Sequence, residues 1–245
     1  MIIYDTNKIE HTVFAKPLLI MLPFAGGNAF SYRDLCLKLE EKYDILCPEL
    51  PGRGSLTGEK PLDSIEAMSD YIFDHWIKPI HLPNPYVIYG HSMGGLLAYS
   101  IVKKIERSKK NLPKQIVVSG RVAPSVPRNK NWHQLPSADF WNNLSEMGGV
   151  PEVLLSSVEL RDYFEDILRA DFKAVETYIY SKPEKKSEIP ITIIYGSKED
   201  FDMKSLESWK DETTQNVTFI QMEGTHFFIY DHSKEISALL ETSLK

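Results

Sequence analysis

Tyr86-Val87-Ile88-Tyr89-Gly90-His91-Ser92-Met93-Gly94-Gly95-Leu96 is the stretch that decides how this chain folds. Its first four residues are apolar or aromatic, as in a strand covered on both faces. From Leu96 to Ile105 the apolar residues return with helical spacing. Strand must therefore turn sharply into helix, with Ser92 at the tip. Side chains at Gly90 and Gly94 would collide with such a turn. The free N–H groups and dipole of the following helix favour negative charge beside Ser92. A serine presented in this way is a candidate nucleophile.

Outward from this turn, short apolar runs recur at Pro17–Leu22, Tyr43–Cys47, Gln115–Val118, Ile191–Tyr195 and Val217–Gln221. They are apolar throughout rather than alternating, which predicts parallel strands with both faces covered. Helical patterns separate them at Ser31–Glu40, at Ser64–Ile77 with Asp63 as a candidate cap, and at Lys234–Leu244. Alternating strand and helix predicts an α/β fold with a mostly parallel, doubly wound sheet. Arg121 to Pro190 breaks the rhythm. About seventy residues lacking a strand pattern are too many for an ordinary connection. Proline-punctuated amphipathic segments fill it, at Ala138–Met147, Val158–Leu168 and Asp171–Tyr180. It is expected to form a helical lid inserted at about 121–190 of a single domain covering 1–245.

Composition excludes several classes. The 245 residues carry a formal charge of −6, with 42% hydrophobic and 25% charged residues. That is a globular composition, without the basic surplus of a nucleic-acid-binding chain. Neither a signal-peptide pattern nor an apolar run long enough to cross a bilayer is read near the N-terminus. Cys36 and Cys47 give neither a disulfide framework nor zinc-ligand spacing, and both are expected to be buried thiols in a cytoplasmic protein. No metal or cofactor is implied.

A serine at a strand-to-helix turn, in a doubly wound sheet, predicts the α/β-hydrolase fold, whose catalytic partners follow in the order Ser, acid, His. His226, in the loop after the last predicted strand, is the expected base, with His232 as runner-up. His91 adjoins Ser92, but the turn should aim its ring away from the reaction centre. The acid should follow Tyr195, in Gly196-Ser197-Lys198-Glu199-Asp200. Asp200 is the choice, with Glu199 and Asp202 as competitors. An oxyanion hole needs two backbone N–H donors. Met93 should supply one, and Ala25, in Pro23-Phe24-Ala25-Gly26-Gly27, the other, with Phe24 as the alternative. Arg53, in Pro51-Gly52-Arg53-Gly54, is read as shaping a loop at the pocket edge.

Pro23-Phe24-Ala25-Gly26-Gly27, Glu49-Leu50-Pro51-Gly52-Arg53-Gly54 and Gly90-His91-Ser92-Met93-Gly94-Gly95, in this order, resemble the type II thioesterases. These are the stand-alone editing enzymes of nonribosomal-peptide and polyketide assembly lines, and vertebrate medium-chain fatty-acyl thioesterases are similar. Leu135-Pro136, Met147-Gly148-Gly149-Val150-Pro151 and Leu168-Arg169-Ala170-Asp171-Phe172 resemble the family's lid motifs. The resemblance implies that Ser92, Asp200 and His226 form a triad. It implies hydrolysis of acyl or aminoacyl thioesters held on the 4′-phosphopantetheine arm of acyl or peptidyl carrier protein domains. A monomer is expected. One departure stands out: Phe201 follows Asp200 where many relatives have proline. Carriers of this type are acidic by the same resemblance, so a local basic rim is expected, drawn from Arg121, Arg128, Lys130, Arg161 and Lys173. The residues alone leave open a general carboxylesterase or lipase, an acyltransferase, and a non-catalytic binding module.

Overall fold

The six apolar runs become six strands: β2 (Leu18–Leu22), β3 (Asp44–Leu46), β4 (Tyr86–His91), β5 (Gln115–Ser119), β6 (Ile191–Gly196) and β7 (Val217–Met222). The structure is a computed structural model that describes residues 1–3, 9, 12–128 and 130–244. A seventh strand, β1 (Ile2–Ile3), lies at the sheet edge and is too short for any periodicity to register. The order is β1-β3-β2-β4-β5-β6-β7, and every pairing is parallel.

Strand residues alternate between two cores. Leu18, Ile20 and Leu22 of β2 face one, and Leu19 and Met21 face the other. Helices α2 (Ile65–Ile72) and α3 (Met93–Ser108) cover the first face. Helices α1 (Arg33–Leu39) and α8 (Ser233–Leu244) cover the second. The cap of α2 is Ser64 rather than Asp63: the Ser64 hydroxyl accepts from the Ala67 N–H at 3.2 Å, while Asp63 pairs with Lys173 at 2.6 Å. The pattern expected to stay helical to Ile77 widens after Ile72 into a π-helical turn, Phe73–Ile77. Cys36 and Cys47 are buried thiols with sulfurs 3.8 Å apart.

Between β5 and β6 the described residues form no strand. A short 3-10 turn at Trp132–Gln134 and three α-helices occupy the insertion, α4 (Ser137–Met147), α5 (Glu152–Ser156) and α6 (Val158–Glu176). The two segments expected on either side of Arg169-Ala170 are one helix, because both residues are strong helix formers and nothing there breaks the turn. Phe140, Trp141, Leu144 and Leu168 give the insertion a small core of its own. Two helices escape the sequence pattern, α5 and α7 (Met203–Glu207), each too short to show periodicity.

Candidate active site

The loop after β2 leads to α1 on one face, and the turn after β4 leads to α3 on the other. Neighbouring strands whose connections diverge leave a crevice at their carboxyl ends. Ser92 sits in it, alone between β4 and α3, at φ 54° and ψ −115°. Non-glycine residues adopt this conformation only when their surroundings enforce it. Here the Ser92 N–H donates to the Ser119 carbonyl at 2.8 Å, tying the tip to β5. A Cβ on Gly90 would lie 2.1 Å from the Gly94 carbonyl oxygen, and one on Gly94 would lie 2.5 Å from that of Leu22. Both obstacles are backbone, so neither can yield.

His226 comes off the loop after β7, and its Nε2 lies 2.9 Å from Ser92 Oγ. Its Nδ1 lies 2.6 Å from Glu199 Oε1, not from Asp200. The expected acid is therefore displaced by one position. The reason is the turn after β6. Glu199 N–H donates to the Gly196 carbonyl at 3.2 Å, and Glu199 Oε2 accepts from the Gly196 N–H at 2.8 Å. The chain curls so tightly that the Glu199 carboxylate returns over the sheet edge, 3% exposed, under His226. Asp200 lines the pocket one residue further out and makes no hydrogen bond to His226. Asp202 caps α7, accepting from the Ser205 N–H at 2.8 Å. His232 Nε2 lies 2.9 Å from the Glu223 carbonyl oxygen instead of reaching Ser92. His91 backs the site without bonding to Ser92. Its buried ring lies 4.9 Å from that of His226, and its Nδ1 lies 2.9 Å from Ser119 Oγ. Burial and the neighbouring His226 push the His91 pKa well below the ordinary imidazole value, so it stays neutral.

Ala25 and Phe24 line the same pocket as Ser92. In their loop, the Gly26 N–H is committed to Asp171 Oδ2 at 2.7 Å and the Gly27 N–H to the Phe24 carbonyl at 2.8 Å. This excludes both glycines as oxyanion donors and leaves the amides of Ala25 and Phe24. Met93 opens α3, where an N–H has no intrahelical partner. Arg53 does more than shape a loop. Its guanidinium grips Asp171 of α6 through two 2.7 Å hydrogen bonds and donates to the Gly27 carbonyl at 3.2 Å. The side chains are 3% and 0% exposed. One buried pair thus joins the insertion to the loop beside Ser92.

The pocket over Ser92 and His226 has a volume of about 330 Å³, and Trp132, Met147 and Phe172 of the insertion wall it. Of the expected basic rim, Arg128 and Lys130 line the pocket, joined by Lys198, which the sequence reading missed. Arg121 also lines it but is buried, and Lys173 is engaged with Asp63. Arg161 does not line it.

Fold and site together define the class, an α/β-hydrolase with the apparatus for nucleophilic acyl chemistry. Residues 17–244 match the thioesterase domain family, so the chain belongs to that family and is a thioester hydrolase. It is 31% identical over 225 residues to the gramicidin S biosynthesis protein GrsT of Aneurinibacillus migulanus, covering 91% of this chain and 86% of that one. Among solved structures, it resembles the type II thioesterase BorB from the borrelidin biosynthetic cluster, with TM-score 0.86, 29% identity and 94% of each chain covered. It likewise resembles YbtT, a type II thioesterase of the yersiniabactin NRPS/PKS pathway, with TM-score 0.81, 25% identity, and 94% and 95% covered. Among the described residues no helix is long and apolar enough to cross a membrane.

Proposed function

We propose that this chain is an editing thioesterase. It would hydrolyse acyl and aminoacyl groups from the phosphopantetheine arm of carrier protein domains in nonribosomal-peptide or polyketide assembly. The observation that carries the reading is the hydrogen-bonded chain Ser92–His226–Glu199 opening into a walled pocket. Ser92 Oγ attacks the thioester carbonyl as His226 Nε2 takes its proton. Glu199 holds Nδ1–H, fixes the tautomer and stabilises the imidazolium. The amides of Ala25 and Met93 receive the oxyanion. Collapse breaks the C–S bond, and His226 returns the proton to the leaving thiol. Water, deprotonated by His226, then cleaves the acyl-enzyme to free acid and Ser92. The cycle draws on no metal or bound cofactor, since the pantetheine belongs to the substrate.

In this reading the insertion at 121–190 is the lid, and the carrier stays outside it. Every group in the cycle comes from one chain, which supports a monomer, and the two buried thiols suit the cytoplasm. The test compares one acyl group as carrier-bound thioester, as small-thiol thioester and as oxygen ester, in wild type and Ser92→Ala. A preference for the carrier-bound form, abolished in the variant, is expected. Preference for oxygen esters would indicate a carboxylesterase. Acyl transfer to an added alcohol or amine in place of free acid would indicate an acyltransferase. No reaction of Ser92 with a fluorophosphonate would indicate a binding module.

A further inference from the structure

We propose that Arg121, assisted by Arg128, forms a subsite for a carboxylate on the far end of the acyl group, so that dicarboxylic half-thioesters are among this enzyme's substrates. This rests on the thioesterase reading of the same pocket.

Arg121 lines the same pocket as the reacting groups. It follows Gly120, the first residue beyond β5, and a Cβ at Gly120 would lie 2.5 Å from the His91 ring and 3.2 Å from that of His226. The Arg121 carbonyl accepts from the Trp209 indole N–H at 3.1 Å, which fixes its backbone. The side chain lines the pocket that holds Ser92 and is only 4% exposed.

Its guanidinium lacks the compensation a buried charge requires. Nε has no hydrogen-bond partner, and no carboxylate of the described residues pairs with it. The groups that act on its charge are Arg128, of like sign, and the Tyr178 hydroxyl. Burial and Arg128 bring its pKa down to about 9, which leaves it cationic at neutral pH. The contrast within the molecule lies in the ion pair, for Arg53, equally buried and likewise without a partner at Nε, is clasped by Asp171. Four carboxylates line the pocket, Glu146, Glu176, Glu199 and Asp200, and none forms an ion pair with Arg121; two of them are engaged elsewhere. Glu199 serves His226 and the Gly196 N–H, and Glu176 binds His133 and the Trp132 N–H. Glu199 and Asp200 act electrostatically on Arg128, which also lies over the Phe201 ring.

A buried, unpaired guanidinium lining a substrate cavity is completed by an anion that arrives with the substrate. Its planar fork of donors suits a carboxylate. Two anions could be brought, an acyl carboxylate or the phosphate of the arm. The phosphate lies at the opposite end of the arm from the reacting thioester. Arg121 is one residue from Gly120, which abuts the His226 ring at the reacting end of the pocket, so the acyl carboxylate is the group within its reach.

Malonyl, succinyl and glutaryl thioesters of N-acetylcysteamine, which has no phosphate, would each be compared with the thioester in which isopropyl replaces the carboxylate. For at least one pair, wild type should favour the carboxylated member in kcat/KM by about tenfold or more, the ratio for roughly 1.4 kcal/mol. In Arg121→Gln that ratio should fall to about one, with Arg121→Lys intermediate. Fluorophosphonate labelling of Ser92 would check that the variant site is assembled. Arg128→Gln, at a less buried position, should lower the ratio in part and serves if Arg121→Gln does not fold. A wild-type ratio near one for all three pairs overturns the subsite while leaving the thioesterase reading intact. So does a ratio unchanged in Arg121→Gln, or, when the same pairs are carried on phosphopantetheine, a loss shared by both members and absent from the N-acetylcysteamine thioesters. Failure to cleave any thioester would overturn both.

Discussion

Replacing Asp171 with Asn tests whether the insertion holds the oxyanion loop in place. The change keeps the side chain's size and removes its charge. Arg53, 3% exposed, then loses its ion-pair partner and keeps only the neighbouring Glu49 as a source of negative charge. One amide oxygen must serve both the Gly26 N–H and Arg53 Nη1, and an NH2 group is left facing Arg53 Nη2. Breaking a buried pair from one side costs about 3–5 kcal/mol, because the surviving charge stays buried. For a chain of this size each kcal/mol moves Tm by about 2–4 °C, so Tm should fall by roughly 6–20 °C. Catalysis should suffer separately. Removing an oxyanion donor outright costs about 10²–10³ in kcat, and loosening the loop that carries Ala25 should cost about tenfold or more, in kcat rather than KM. The decisive assay is the double variant Arg53→Met, Asp171→Leu. Apolar replacement of a buried pair is often neutral for stability, so Tm should largely recover. Nothing in that variant holds the Gly26 amide, so kcat should not. A Tm loss for Asp171→Asn below about 2 °C, or recovery of kcat with Tm in the double variant, would refute the reasoning.

Ser92→Ala should leave the protein folded and lower turnover by at least about a thousandfold, measured with a chromogenic thiol trap. Glu199→Gln should lower kcat by about 10³–10⁴ through loss of the correct His226 tautomer, and Asp200→Asn should be mild; the reverse ranking would restore Asp200 as the acid. The depressed pKa of His91 makes stability depend on pH. Below about pH 6.5 the unfolded chain binds a proton that the folded His91 refuses, so stability should fall with pH by up to about 1.4 kcal/mol per unit. Denaturant titrations should show part of that slope vanish in His91→Asn. Hydrogen exchange should find α4 and α5 opening more readily than the Asp171 half of α6, with protection rising in an acylated enzyme. Equal protection of all three in both states would exclude a moving lid.

Much of this protein was legible because its demands are local. The turn at Ser92 is dictated by what fits within a few residues, so Gly90-His91-Ser92-Met93-Gly94 announces the strand before it and the helix after it. The parallel sheet is legible from apolar runs, since strands covered on both faces cannot alternate. Given that sheet, a place on the loop just after the last strand put His226 ahead of His232. Two adjacent carboxylates, by contrast, look alike in sequence. Whether Glu199 or Asp200 meets His226 depends on how tightly the chain curls back on Gly196, and a shift of one residue redirects the side chain. Arg121 reads as one more surface cation, yet in the fold it is 4% exposed. Arg53 and Asp171, 118 positions apart, each resemble an ordinary solvated charge. Only folding brings them together and removes them from water, because burial belongs to the packed neighbourhood and is written in no single segment of the chain.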